Sequence, residues 1–355
     1  MTLLPGKLPA SMLAELLARI PATDARVLLG PGIGRDAAVI DAGGDRLLVA
    51  KTDPVTFAGD DIGWYAVHVN ANDIACMGGR PAWFLATVLL PPDAPDTLPG
   101  QILDSINAAC AELGIALVGG HTEVTAGLDR PIIAGAMLGE VSRGDLVRGE
   151  NIEAGDVVLL SQGIAIEGTA LLAREAASAI GAAGVDAATI ERAGRMLHEP
   201  GISVVAAARE LWAASRPRLM HDPTEGGLAT ALREMAAAAS ATIRIDPAAV
   251  IVFDETTAIC GALGLDPWGL LASGALLAIA AAGTYERLTS RANGDRIPWR
   301  VIGGIERGEP RVILGAGTSA TPLPMFERDE IARFFESGQR DTGARQGSEH
   351  VREGS

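Results

Sequence analysis

The residues in this chain that could do chemistry are acids and amides set beside glycines. Asp36 follows Gly32-Ile33-Gly34-Arg35, and Asp53 follows the run Leu47-Leu48-Val49-Ala50-Lys51-Thr52. Asn70, Asn72 and Asp73 fall within one turn, and Glu123 follows Gly119-Gly120-His121-Thr122. A carboxylate at the end of an apolar strand, or inside an apolar helix, is costly unless it is paired or bound to a cation. Hard carboxylate oxygens suit Mg²⁺, which keeps waters and completes its shell from substrate phosphates. Glycines beside them allow a phosphate to approach the backbone closely. Several such carboxylates in one expected domain read as a Mg²⁺–phosphate site.

Each motif has a plainer reading beside that one. Asp36 alone fits a turn closed by an Asx hydrogen bond. Asp53, ahead of Pro54, fits a turn or helix start, although sheet ligands also bind outside strand ends. The helix is more specific: His68 and Asn72 are i,i+4 neighbours, and Asn70 and Asp73 are i,i+3 neighbours, on an otherwise apolar run. Buried amides and acids need defined partners, either a ligand or neighbouring loops. For His68 the structural role is favoured. Lys51 either meets a phosphate or stays exposed at its strand end. Asp222-Pro223-Thr224-Glu225 has the spacing of a capping box, with Pro at the first helical position. Gly226-Gly227 would then present backbone N–H groups to an anion; cap alone and cap with anion site both stand. The chain has no Ser-His-Asp arrangement, Walker A sequence or spaced GxGxxG fingerprint.

The elements that must position these residues follow from patterning. A short amphipathic helix is expected over 11–20, a glycine turn at 30–34, and strands at 37–40 and 46–50. A helix apolar nearly all round is expected over 62–77, as for a buried one. A strand at 82–90, a helix at 98–113, a strand at 115–118 entering Gly119-Gly120, and a strand at 131–140 follow. A polar turn near 149–155 marks a boundary. Beyond it come a strand at 157–160, Ala-rich helices, a turn at 199–201, a helix at 228–238, and strands near 243–245, 275–280 and 300–305. The polar stretch 338–355 reads as disordered.

Bulk properties narrow the class. A chain of 355 residues accommodates two domains with separate cores. The hydrophobic share of 48% and charged share of 21% are those of a globular protein. A net charge of −15 and no Lys/Arg cluster argue against a nucleic-acid partner. No uninterrupted apolar run reaches the roughly 18 residues of a membrane helix, and residues 1–10 lack a secretory pattern, so a cytoplasmic location is expected. Cys76, Cys110 and Cys260, far apart and odd in number, read as reduced, buried thiols.

Taken together, Gly34-Arg35-Asp36-Ala37-Ala38-Val39, Thr52-Asp53, Asn72-Asp73-Ile74-Ala75-Cys76-Met77-Gly78 and Gly119-Gly120-His121-Thr122-Glu123 resemble a known motif set in order and spacing. It is the N-terminal ATP/Mg²⁺ set of the aminoimidazole-ribonucleotide synthetase, or PurM-like, superfamily. That superfamily includes selenophosphate synthetase, thiamine-monophosphate kinase and the HypE-type hydrogenase-maturation protein. His221 through Ala229 is similar to the HypE-type motif of the second domain. The resemblance implies an α/β (α+β) protein with a PurM-like ATP/Mg²⁺ domain over 1–150, whose sheet joins a partner's in a homodimer. It also implies a C-terminal α/β domain over 151–325, a terminal helix and tail over 326–355, and ATP at the cleft. By the same resemblance Asp36, Asp53, Asp73 and Glu123 would bind Mg²⁺. Gly34, Asp36, Lys51, Thr52, Asn72, Gly119, Gly120, Thr122, Asp222, Gly226 and Gly227 would line the nucleotide site.

The implied activity is ATP-dependent activation of an oxygen on a small-molecule or carbamoyl-type acceptor. A kinase resembling thiamine-monophosphate kinase and a non-catalytic ATP-binding assembly or sensor protein are the alternatives. Three departures bear on the choice. The HypE-type protein ends in a cysteine, whereas the last cysteine here is Cys260. No cysteine precedes the Asp motifs, which disfavours selenophosphate synthetase, and Asp222-Pro223-Thr224-Glu225 departs from the thiamine-monophosphate kinase pattern.

Overall fold

A computed structural model describes residues 8, 10–21, 24–32, 34–290, 297–317 and 320–338. Ile33 and nearly all of the stretch expected to be disordered lie outside them. The first sheet is built from β1 (Val27–Leu29), β2 (Ala38–Ile40), β3 (Arg46–Val55), β4 (Arg80–Leu90), β5 (Ala116–Val124) and β6 (Ile132–Ser142). Its order is β1-β2-β3-β6-β4-β5, antiparallel throughout except for the parallel pair β4–β5. In β6 every second residue is buried, the period-two pattern of a sheet with one fully covered face. The remaining helices of this half are α1 (Ala10–Leu17), α2 (Ile62–Cys76) and α3 (Leu98–Leu113).

Two expected strand ends are wrong, and both carry a site residue. β3 continues past Ala50 to Val55, so Asp53 lies inside the strand, opposite Gly135. Pro54 falls beyond Ala50, the last β3 residue that β2 pairs, so β3 has an edge there that tolerates proline. β5 likewise continues through Gly119-Gly120 to Val124. A Cβ on Gly120 would lie 2.1 Å from the Ala86 carbonyl oxygen, so glycine is required there by strand pairing.

The second sheet holds β7 (Val157–Ser161), β8 (Leu219–His221), β9 (Thr242–Ile245), β10 (Leu277–Ala280), β11 (Trp299–Glu306), β12 (Arg311–Leu314) and β13 (Thr321–Pro322). Their order is β13-β12-β9-β11-β7-β10-β8. Around it stand α4 (Ile166–Glu175), α5 (Ala177–Ala182), α6 (Ala187–Arg195), α7 (Val205–Ala214), α8 (Gly227–Ala239), α9 (Asp254–Leu263) and α10 (Thr284–Ser290). A final helix spans 330–338. The chain thus has two α/β domains of PurM-like architecture.

Helix α2 explains its own composition. Every residue in it except Trp64 is buried, because it packs on β3, β4 and β6, on α3, and on α7 and β8 of the second domain. Burying Ile62 or Ile74 contributes about 1.5–3 kcal/mol each and leaves no face of the helix in water. Its amides and acid therefore point into protein and must be satisfied there. The three cysteines are free and buried. Among the described residues no helix is long and apolar enough to cross a membrane.

Candidate active site

Polar side chains of α2 meet β3 on one side and the second domain on the other. Asn70 accepts the Asp53 N–H at 2.8 Å and donates to the Asp53 and Ala66 carbonyls, which fixes the backbone that carries the Asp53 carboxylate. Lys51, on the same strand, places its ammonium 3.2 Å from Asp53 and 3.0 Å from Asp73. It is not an exposed strand-end lysine: its side chain is 18% accessible and bridges two carboxylates.

Electrostatics single out this cluster. Burial pushes the Asp73 carboxyl up to about 8; Lys51 offsets part of the rise, and Asp36 and Asp53 add to it. Burial works to lower the Lys51 pKa, but Asp73 and Asp53 outweigh it and hold the ammonium above its ordinary range. His221, buried at the end of β8, has Nδ1 3.1 Å from Asp36 and Nε2 2.9 Å from Glu234. Burial opposes its charge, yet these two carboxylates raise it well above the usual histidine value. The sequence reading missed His221 as a site residue, although it opens the second-domain motif. Its signal was a histidine directly before Asp222 in an otherwise acidic stretch.

The structure revises several site readings. Asn72 spends its whole amide across the domain boundary: Nδ2 donates to the Ile202 carbonyl at 2.8 Å and to Asp222 at 2.7 Å, while Oδ1 accepts from Val204 N–H. It clasps the domains, a role the sequence reading did not give it. Asp222 is the other jaw of that clasp, 1% exposed and with its carboxyl driven well above the usual range by burial. The Thr52 hydroxyl donates to the Gly135 carbonyl at 2.7 Å. Gly34 takes a left-handed turn facing Glu234 of the second domain.

The expected capping box does not form. Helix α8 begins at Gly227 with Gly226 as its left-handed N-cap, four residues after Asp222, the expected cap, and no side chain caps it. The Gly226 N–H donates to Asp329 Oδ2 at 2.7 Å, and the Gly227 N–H to the Thr224 carbonyl. The group that meets this helix start is the chain's own Asp329 carboxyl. A Cβ on Gly227 would lie 2.6 Å from the Trp268 carbonyl, so the second glycine serves close packing.

Gly119, Gly120, Thr122 and Glu123 stand apart from the cluster within one chain. They lie on β5, the sheet's edge, where Glu123 accepts from Thr125 and pairs with His121 at 3.0 Å. His121 and Thr125 hold its carboxyl below the usual range. His68 is a core residue as favoured: 1% exposed, its ring packed on Trp64, and kept neutral by burial, which lowers its pKa to about 3.

Asp36, Asp53 and Asp73 offer carboxylate oxygens, the donor type Mg²⁺ prefers, and Asp73 Oδ2, buried, has the Lys51 ammonium as its ion-pair partner. Among the described residues no three such ligands converge closely enough to hold a metal as arranged. Lys51 occupies the position between two of them. Asp53 also lines a cleft of about 300 Å³ between the domains, together with Phe57, Tyr65, Glu167, Thr224 and Glu225.

Comparison with known proteins agrees with this architecture. The family model described as AIR synthase related protein, N-terminal domain, matches residues 34–141, and its C-terminal counterpart matches 153–315. A putative hydrogenase expression/formation protein of Methanocaldococcus jannaschii is 35% identical over 65% of this chain and 67% of its own length. Carbamoyl dehydratase HypE of Cupriavidus necator is 30% identical over 74% and 73%. The crystal structure of hydrogenase maturation protein HypE in complex with ATP superposes with a TM-score of 0.63 over 85% of this chain and 92% of that one, at 24% identity, a likeness of fold. This chain belongs to the AIR synthase related protein family and is similar within it to HypE.

Proposed function

We propose that the protein is an ATP-dependent enzyme that passes the γ-phosphoryl group to an oxygen of an acceptor bound between its two domains. The observation that carries this reading is the convergence of Lys51 on Asp53 and Asp73, with Asp53 also lining the interdomain cleft. Asp36, Asp53 and Asp73 would hold Mg²⁺, with Glu123 outside the set. When bound, the ion would neutralise charge on the phosphates. Lys51, released from the carboxylates, would turn to a phosphate oxygen. Asn70 keeps Asp53 in place, and His221 does the same for Asp36. Catalysis then rests on positioning and charge neutralisation.

HypE relatives support a small-molecule or carbamoyl-type acceptor as the class to try first. Calorimetry with Mg²⁺–ATP on Asp53→Asn and Asp73→Asn proteins tests the phosphate end: at least tenfold weaker binding is expected, and unchanged affinity removes the site. Sustained ADP release with an acceptor panel separates an enzyme from a protein that binds ATP without turnover.

A further inference from the structure

The inner part of the cleft contains polar groups that phosphate binding does not use. Glu167, on α4, is 6% exposed, and Tyr65, on α2, is 1% exposed. Glu167 Oε2 and the Tyr65 hydroxyl are both buried and make no hydrogen bond among the described residues, Ser273 lying beside the Glu167 carboxyl. Both line the cleft that Asp53 also lines. Leaving such groups unpaired is costly, so two of them on residues that line one cavity point to an occupant that reaches them. The walls between them are apolar, from Val69, Leu171 and Leu271.

The charge of the lining is one-sided. Asp53, Glu167 and Glu225 contribute carboxylates, and no Lys or Arg lines the cleft among the described residues. Like charge disfavours an anionic occupant, more strongly in a partly desolvated cavity than in water. A phosphorylated or carboxylated acceptor would find no counter-charge at this end.

We infer that Glu167 and Tyr65 form the acceptor subsite, and that it takes a small neutral or cationic molecule that donates a hydrogen bond to Glu167 and engages the Tyr65 hydroxyl. This rests on the phosphoryl-transfer reading only for the word acceptor; the subsite itself is a property of the cleft. Burial pushes the Glu167 carboxyl up to about 7, with Ser273 lowering it and Asp329 and Glu225 raising it. Near neutrality the group can therefore either accept or donate.

The test is ligand-observed NMR on the full chain with four probes: acetamide and n-butylamine against butyrate and butyl phosphate, with and without Mg²⁺–ATP. Acetamide and n-butylamine are expected to bind and the two anions to bind at least about tenfold more weakly, a gap of 1.4 kcal/mol. Glu167→Gln, nearly isosteric, should lose n-butylamine and keep acetamide, while Tyr65→Phe should weaken both; unfolding midpoints check that each variant is folded. Equal binding of the anions, or variants that leave all four affinities unchanged, would overturn the subsite. If the probes behave as stated and Mg²⁺–ATP does not bind, the phosphoryl-transfer reading fails and the subsite stands. If Mg²⁺–ATP binds and no probe discriminates, the subsite alone fails.

Discussion

Strands β3 and β5 each run apolar residues into a carboxylate, Asp53 in one and Glu123 in the other. The residue pairs Asp53–Gly135, Gly135–Ala86 and Ala86–Gly120 even set the two motifs at nearly the same level across the sheet. β3 lies between β2 and β6 under α2, and its acid is joined to Lys51 and backed by Asn70. β5 is three strand spacings away, roughly 14 Å, at the edge, and all but one of its residues are exposed. The same local pattern gives a partnered, electrostatically charged centre in one place and, within one chain, an exposed edge in the other. What separates them is strand order, and strand order is set by contacts distant in sequence.

Four substitutions probe that contrast. Asn72→Ala should be the most damaging, since it leaves Asp222, the Val204 N–H and the Ile202 carbonyl unpaired in the interior. A loss of about 4 kcal/mol in denaturant unfolding is expected, from roughly 1–3 kcal/mol for each buried group stranded. Lys51→Met should cost about 3 kcal/mol by stranding Asp53 and Asp73, and millimolar Mg²⁺ should restore part of it. A midpoint insensitive to Mg²⁺ in that variant would mean the carboxylates do not form a cation site.

Glu167→Gln should change the pH dependence instead of the maximum. The folded-state pKa of Glu167, about 7, lies above its ordinary value of 4.5. The folded form therefore binds the proton more tightly, and the stability this confers is complete below about pH 4 and lost as pH rises through 7. Relative to wild type, the Gln variant should gain up to about 3 kcal/mol between pH 4 and pH 8, at 1.36 kcal/mol per unit. Parallel curves for the two proteins would show that Glu167 is not perturbed. Glu123→Gln, at the exposed rim, should leave both the unfolding midpoint and Mg²⁺–ATP affinity of the isolated chain unchanged; a loss of nucleotide affinity would bring β5 into the site and erase the contrast.

Periodicity made the fold readable where burial is simple. The all-round apolar pattern of α2 and the run ending at Gly114 for α3 gave both helices nearly to the residue. Patterning failed where a glycine or a short acidic run has two uses. Gly119-Gly120 looks like a turn, yet it permits β5 to pass close to β4. Asp222-Pro223-Thr224-Glu225 has the spacing of a cap, yet Asp222 is drawn away by Asn72, 150 residues earlier. Of the site, Asp36, Lys51, Asp53 and Asp73 could be named from their surroundings in the chain. Asn72's role as a clasp, and Glu167 and Tyr65, could not, because each is defined by a neighbour from the other domain.

The carboxylate of Asp329 also sets how long this chain must be. It receives the Gly226 N–H at the start of α8, and it caps the final helix through the Ile331 N–H. Phe335 from that helix stacks on Phe57 at the cleft wall, and Phe326 packs where a side chain on Gly269 would otherwise stand. The family match stops at residue 315. A polypeptide cut there would keep every matched residue, yet α8 would begin on an unanswered N–H and Phe57, which lines the cleft, would lose the ring stacked on it. The unit that can be recognised is shorter than the unit that can fold, and protease resistance should extend past 315 to the end of the last helix.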